Sequence, residues 1–120
     1  MSFDIPGFPG LQYGTLYCIG RNYAKHAAEM NSELPESPVV FLKPRSSIIQ
    51  DGETIRIPQL SREVHHEVEL VILIGKQASS IEAENALSRV AGFGVGLDIT
   101  ARDIQSEAKK KGLPWSLAKG

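Results

Sequence analysis

Two glutamates, Glu67 and Glu69, stand one residue apart at the head of the most apolar run in the chain, His65-His66-Glu67-Val68-Glu69-Leu70-Val71-Ile72-Leu73-Ile74-Gly75. The run is short, rich in β-branched residues and closed by glycine, which predicts a strand rather than a buried helix. Alternation then sends both acids to one face, roughly 7 Å apart along the chain, and Val68, Leu70, Ile72 and Ile74 to the other, which reads as a core face. Two carboxylates placed this way repel each other and lose hydration unless a cation or a proton compensates them. Hard oxygen donors suit Mg²⁺, Mn²⁺ or Ca²⁺. A solvent-facing strand end that carries two acids for solubility explains the same spacing equally well, and a metal would need a third ligand from elsewhere.

Other residues able to do chemistry are spread along the chain. His26 and Glu29 lie three apart in a helical stretch that Asn22 can cap, a spacing that by itself describes a surface ion pair. Cys18 lies inside the apolar strand Leu16-Tyr17-Cys18-Ile19, where a packed thiol is expected rather than a nucleophile. Lys43 ends the strand Val39-Val40-Phe41-Leu42-Lys43, where it reads first as an ordinary solvated lysine and otherwise as a cation aimed at an anionic ligand. Arg102 and Gln105 share a helical face three apart, close in sequence to Asp98.

The elements that must position these residues follow from local patterns. Residues 1–15, with Pro6, Pro9 and no periodicity, read as a lead-in that lies on the domain, and the domain proper runs over 16–120. Residues 31–38, with two prolines, predict a mobile loop that could serve as a lid. Asp51-Gly52 between Ile48-Ile49 and Ile55-Arg56-Ile57 predicts a β-hairpin. Ser79 and Glu82 form a capping box for a helix with Ala83, Ala86, Leu87 and Val90 on its buried stripe and Gly92 at its end. Phe93, Val95 and Leu97 alternate with Gly94, Gly96 and Asp98, which predicts a strand with one face bare of side chains down to the acid; the glycines do not open a helix, so they are not a dinucleotide loop. Thr100 and Asp103 form a second capping box for a helix whose last turn holds Lys109, Lys110 and Lys111 and which Gly112 stops. Residues 113–120 carry no pattern of a further element.

Composition narrows the function classes. The 120 residues allow one small domain, and 42% apolar with 22% charged residues is the balance of an ordinary soluble protein. With 13 basic and 14 acidic residues there is no basic field to hold nucleic acid or an anionic membrane. No run is long enough to span a bilayer and no signal-peptide pattern opens the sequence. A single cysteine excludes an internal disulfide and fits a reducing, cytoplasmic setting.

Five segments nevertheless occur in one order: Gly20-Arg21-Asn22-Tyr23 followed by His26 and Glu29; Phe41-Leu42-Lys43-Pro44; Glu67-Val68-Glu69-Leu70; Asp98-Ile99-Thr100-Ala101-Arg102-Asp103-Ile104-Gln105; and Pro114-Trp115 with Lys119-Gly120. Together they closely resemble the fumarylacetoacetate hydrolase family from about Leu16 onward. The resemblance implies an α+β fold with a mixed β-sheet, a sandwich-like roll core and short flanking helices. It implies that Glu67, Glu69 and Asp98 hold a catalytic Mg²⁺ or Mn²⁺, that His26 and Glu29 form a catalytic dyad on a helix closing over the site, and that Lys119 reaches the substrate beside the metal. By the same resemblance Arg102 and Gln105 look like substrate contacts, and Arg21 and Lys43 look like further substrate-binding positions. His65 and His66 match no metal ligand of the family; His65 shares the face of the acids and is expected to be solvated or to support a ligand from behind.

Family substrates are small 2-oxo or 1,3-dioxo acids, which implies hydrolysis or decarboxylation at a C–C bond through an enolate that a metal stabilises. Isomerisation of a 2-hydroxy-diene-dioate on the same site is the alternative, as are a non-catalytic metal-containing binding module and an inactive fragment. Family domains continue well beyond Lys119-Gly120 and pair as homodimers. The fold is therefore expected to be incomplete at the C-terminus, with the far wall of the pocket and most of the dimer contact on another chain or missing from the sequence, and with strand edges left open to aggregation.

Overall fold

The computed structural model describes residues 4–20 and 37–120. Its α+β architecture consists of two antiparallel ribbons joined by short helices. Strand β1 (Leu16–Gly20) pairs with β2 (Val39–Lys43), Leu16 facing Lys43 and Gly20 facing Val39. Strand β3 (Val64–Ile74) pairs with β4 (Val90–Ala101) from Val64 opposite Ala101 to Ile74 opposite Val90, with an irregularity between Leu73 and Ile74. Both ladders of the described residues are antiparallel; a parallel partner of a mixed sheet is not among them.

The strand patterns translate directly into faces, because alternate side chains project to opposite sides. On one face of the β3–β4 ribbon lie Glu67 opposite Asp98, Glu69 opposite Gly96, and His65 opposite Thr100; on the other lie Val68 opposite Leu97, Leu70 opposite Val95, and Ile72 opposite Phe93. The apolar face, expected to be core, is open in this chain: Val68 is 66% and Val95 79% exposed. Alternation makes the face apolar, but nothing among the described residues covers it. Gly92 sits on the polar side of β4, so close to the lead-in that a Cβ there would come within 2.6 Å of the Phe8 ring.

Helix α1 (Arg102–Lys111) follows β4 directly and stops at Gly112, which takes the left-handed conformation (φ 65°) that ends helices. Helix α2 (Ser116–Lys119), a single turn that no sequence pattern announced, packs against α1, β4 and β2. The buried centre lies where these meet. It contains the small apolar Ala101, Ala108 and Ala118, and beside them the polar Asp98, Thr100, Gln105 and Lys119.

Three local expectations are corrected. Asp51-Gly52 does make a turn, with Gly52 at φ 81° and the Glu53 amide donating to the Gln50 carbonyl at 3.1 Å, but the flanking segments form no ladder. The Glu53 carboxylate accepts from the Gln50 amide and closes the turn locally, while Ile55 and Ile57 stay exposed. The Ser79–Glu82 capping box is not formed. A 3-10 helix over Ala83–Arg89 begins after Glu82 without a side-chain cap, and it buries none of its residues; an amphipathic stripe without a surface to bury it has little to hold an α-helix together. Gly92 accordingly lies inside β4 rather than at a helix end. Thr100 is likewise a strand residue and no cap, since α1 starts at Arg102 with no side-chain cap bond. Its expected partner Asp103 instead accepts from the Ser61 hydroxyl (2.6 Å) and the Arg62 amide (2.9 Å). The predicted lid over 31–38 falls almost entirely outside the described residues.

Candidate metal and substrate site

The register of β3 and β4 builds the site. Glu67 and Asp98 are direct cross-strand partners, and Glu69 lies on the same face one step along, opposite Gly96. Each of the three acids offers an oxygen within 4.8 Å of the others. Like charges directly opposite one another destabilise a ribbon, and basic side chains from three other elements answer them.

Lys119 arrives from α2 and inserts between the acids. Its ammonium donates to Glu67 Oε2 (2.5 Å), to Asp98 Oδ2 (2.5 Å) and to Thr100 Oγ1 (2.6 Å), and its side chain is 2% exposed. Thr100 Oγ1 in turn donates to Glu67 Oε2 at 2.7 Å. Lys43, at the end of β2, donates to Asp98 Oδ1 (2.7 Å) and to the Ile99 carbonyl (3.1 Å), tying the two ribbons together through the acid. From the first turn of α1, Arg102 lies 3.3 Å from Glu67 Oε1 and donates to the Gln105 amide oxygen at 2.6 Å. Phe41 of β2 covers the remaining side of Lys119, with Nζ 4.7 Å from the ring centroid, and Trp115 tilts against Phe41 at 5.4 Å.

Burial works to raise the Glu67 carboxyl, but the hydrogen bonds from Lys119 and Thr100, with the charges of Lys119 and Arg102, outweigh it and lower its pKa to about 2 from an ordinary 4.5. It is therefore an anion at any working pH. Cys18, half-buried on β1, has its thiol pushed up by burial and by the Asp98 charge, as suits a packed residue rather than a nucleophile.

A site of three carboxylates fits a hard divalent cation in the chemistry of its donors. Ligands at about 2.1 Å from one ion lie at most about 4.2 Å apart, so oxygens within 4.8 Å need move only slightly to share it. Of the sequence-derived residues, Glu67, Glu69, Asp98, Lys43, Lys119, Arg102 and Gln105 come together, whereas Arg21, His26 and Glu29 lie outside the described residues. His65 accepts from Arg102 Nε (3.3 Å) and lies 3.2 Å from Glu63, beside the site and not among the three acids. Thr100 is the residue that sequence reasoning missed. Its signal was its place two residues after Asp98 on a strand, hence on the same face, which the capping-box pattern obscured.

Comparison with known proteins identifies the family. The family model described as fumarylacetoacetate (FAA) hydrolase C-terminal matches residues 15–120. The mitochondrial oxaloacetate tautomerase FAHD1 of Arabidopsis thaliana is 48% identical over 105 residues, covering 88% of this chain and 47% of that protein. The structure of fumarylpyruvate hydrolase from Pseudomonas aeruginosa in complex with Mn²⁺ and pyruvate superposes with a TM-score of 0.86 at 37% identity, over 100% of this chain and 54% of that one. The 5-carboxymethyl-2-hydroxymuconate delta-isomerase from Mycobacterium smegmatis follows with a TM-score of 0.73 at 40% identity, covering 89% and 41% of the two chains. The chain spans about half the length of the curated relatives it matches.

Proposed function

The chain belongs to the fumarylacetoacetate hydrolase family, and on that premise we propose that it forms the metal-holding part of an enzyme that converts a small 2-oxo or 1,3-dioxo acid through its enolate. The observation that carries this reading is the convergence of Glu67, Glu69 and Asp98 on one face with a buried lysine beside them. In this proposal the three carboxylates hold Mg²⁺ or Mn²⁺, with Ca²⁺ as a weaker fit. Such a cation acts as a Lewis acid that polarises the 2-oxo group and stabilises negative charge on its oxygen.

The chain's own residues do the rest. Lys119 Nζ, on a buried side chain, adds positive charge where the enolate oxygen develops, and its charge counts for more there than in bulk water. Arg102, held by Gln105, presents a planar fork to the substrate carboxylate, and Lys43 adds a second positive charge at the mouth of β2. Arg21 is a further anion contact. His26, oriented by Glu29, removes a proton from water, which attacks the distal carbonyl and leaves the enolate as the departing group; this is the hydrolase outcome. Release of CO₂ from a 3-carboxyl reaches the same enolate and gives decarboxylation, and reprotonation at another atom gives tautomerisation or isomerisation. That relatives carry the names tautomerase, hydrolase and isomerase supports a shared enolate step and leaves the ending to the residues around it. The working form proposed is a homodimer of a whole domain in a reducing compartment. Among the described residues no helix is long and apolar enough to cross a membrane.

The test is substrate loss with Mg²⁺ or Mn²⁺, using oxaloacetate and acylpyruvates, on the protein alone and mixed with the part of a relative's chain that it does not cover. Glu69→Gln should lower turnover roughly 10²–10³-fold with an unchanged unfolding curve. A variant that loses stability in step with its metal would instead mark the acids as a structural site, and no turnover in any mixture would sink the enzyme reading.

A further inference from the structure

The ammonium of Lys119 has no hydrogen left to give. Its three N–H groups go to Glu67 Oε2, Asp98 Oδ2 and Thr100 Oγ1, and the Phe41 ring packs beside it with its centroid 4.7 Å from Nζ. A lysine in that state cannot also donate to a substrate oxygen, and the two carboxylate oxygens it occupies belong to two of the three acids that would hold a metal. Three cations, Lys43, Lys119 and Arg102, equal the three acids in number, and their ion pairs go to Glu67 and Asp98.

Building on the metal-site reading above, we propose that Lys119 is an internal cation that holds the position between Glu67 and Asp98, and that a divalent metal enters by displacing its ammonium toward the substrate. Metal uptake and arming of the lysine are then one movement. While the lysine is seated it suppresses the repulsion between the facing acids. Once displaced it regains free N–H groups and carries its charge to where an enolate oxygen would form. Lys43 does not play this part, because it bonds the outer oxygen of Asp98 and the Ile99 carbonyl and does not lie between two acids. The distinction separates displacement from a general effect of positive charge, which either lysine would exert.

Mn²⁺ alone, titrated into the metal-stripped protein with the free ion read by electron paramagnetic resonance, tests the idea without any turnover. Lys119→Met should bind Mn²⁺ about tenfold or more tighter than the native protein, and Lys43→Met no more than about threefold tighter. Thr100→Val removes the third anchor of the ammonium and the hydroxyl that competes for Glu67 while preserving shape, so it should tighten binding severalfold and serves if Lys119→Met fails to fold. Equal tightening by Lys43→Met and Lys119→Met, or weaker binding by Thr100→Val, overturns displacement and leaves the metal site standing. No Mn²⁺ binding by the native protein or any variant overturns both this proposal and the metal-site reading beneath it.

Discussion

The two faces of the β3–β4 ribbon come from one alternating sequence and have opposite fates. The face of Glu67, Glu69 and Asp98 carries charges that are costly to bury, yet Asp98 and the neighbouring Lys119 are buried, because each polar atom meets a partner brought from another element. The face of Val68, Leu70, Val95 and Leu97 carries side chains that burial would favour, yet they are exposed. Within this chain, then, it is an ion network that draws the ribbon, α1, α2 and β2 together, and the apolar surface is what the ribbon still has to offer.

The largest effect expected from breaking this contrast comes from Asp98→Leu. It leaves Lys119 and Lys43 charged beside an apolar side chain, and should cost about 3–5 kcal/mol by urea unfolding; a change under 1 kcal/mol would show that the network does not hold the elements together. Acid acts on the same face. Glu67 titrates at about 2 in the folded chain against 4.5 otherwise, so the unfolded chain takes up its proton first as the pH falls. For the metal-free chain the stabilisation is complete above about pH 4.5 and is lost between there and pH 2, at most about 3 kcal/mol in all, read as a falling unfolding midpoint across that window. Along the glycine row the effects are smaller. A Cβ at Gly96 would sit 3.0 Å from Val71 Cγ2, whereas at Gly94 it would meet nothing within 4 Å. Gly96→Ala should therefore be about 1 kcal/mol more destabilising than Gly94→Ala by the same unfolding measurement. Least of all should Val95→Lys on the apolar face matter to stability, staying within about 0.5 kcal/mol. Its effect should appear in sedimentation velocity as reduced self-association, and a loss of stability comparable to that of Asp98→Leu would erase the contrast between the faces.

What could be read in the sequence follows the same division. Alternation located both strands and both faces, since period two depends only on local geometry, and glycine at position 112 marked the end of α1 because few other residues take its conformation without strain. Register could not be read: that Glu67 faces Asp98 depends on pairing between segments about thirty residues apart, so Asp98 entered through a family resemblance. Lys43 looked like a solvated lysine because its partner lies on the other ribbon. The misplaced helix after Ser79 and the misread Thr100 share a cause. Capping boxes are local patterns, and tertiary neighbours decide whether the chain uses them: none for the 3-10 segment, and Glu67 with Lys119 for Thr100.

Lys119 meets Glu67 across 52 residues, and Lys43 meets Asp98 across 55. During synthesis the facing acids leave the ribosome before Lys119 does, so the ribbon at first has an incentive not to close at its polar end. Until then only Lys43 and Arg102 can answer the acids, so full closure there is coupled to the docking of α2, while the apolar face, which α2 does not cover, stays open to chaperones before and after it.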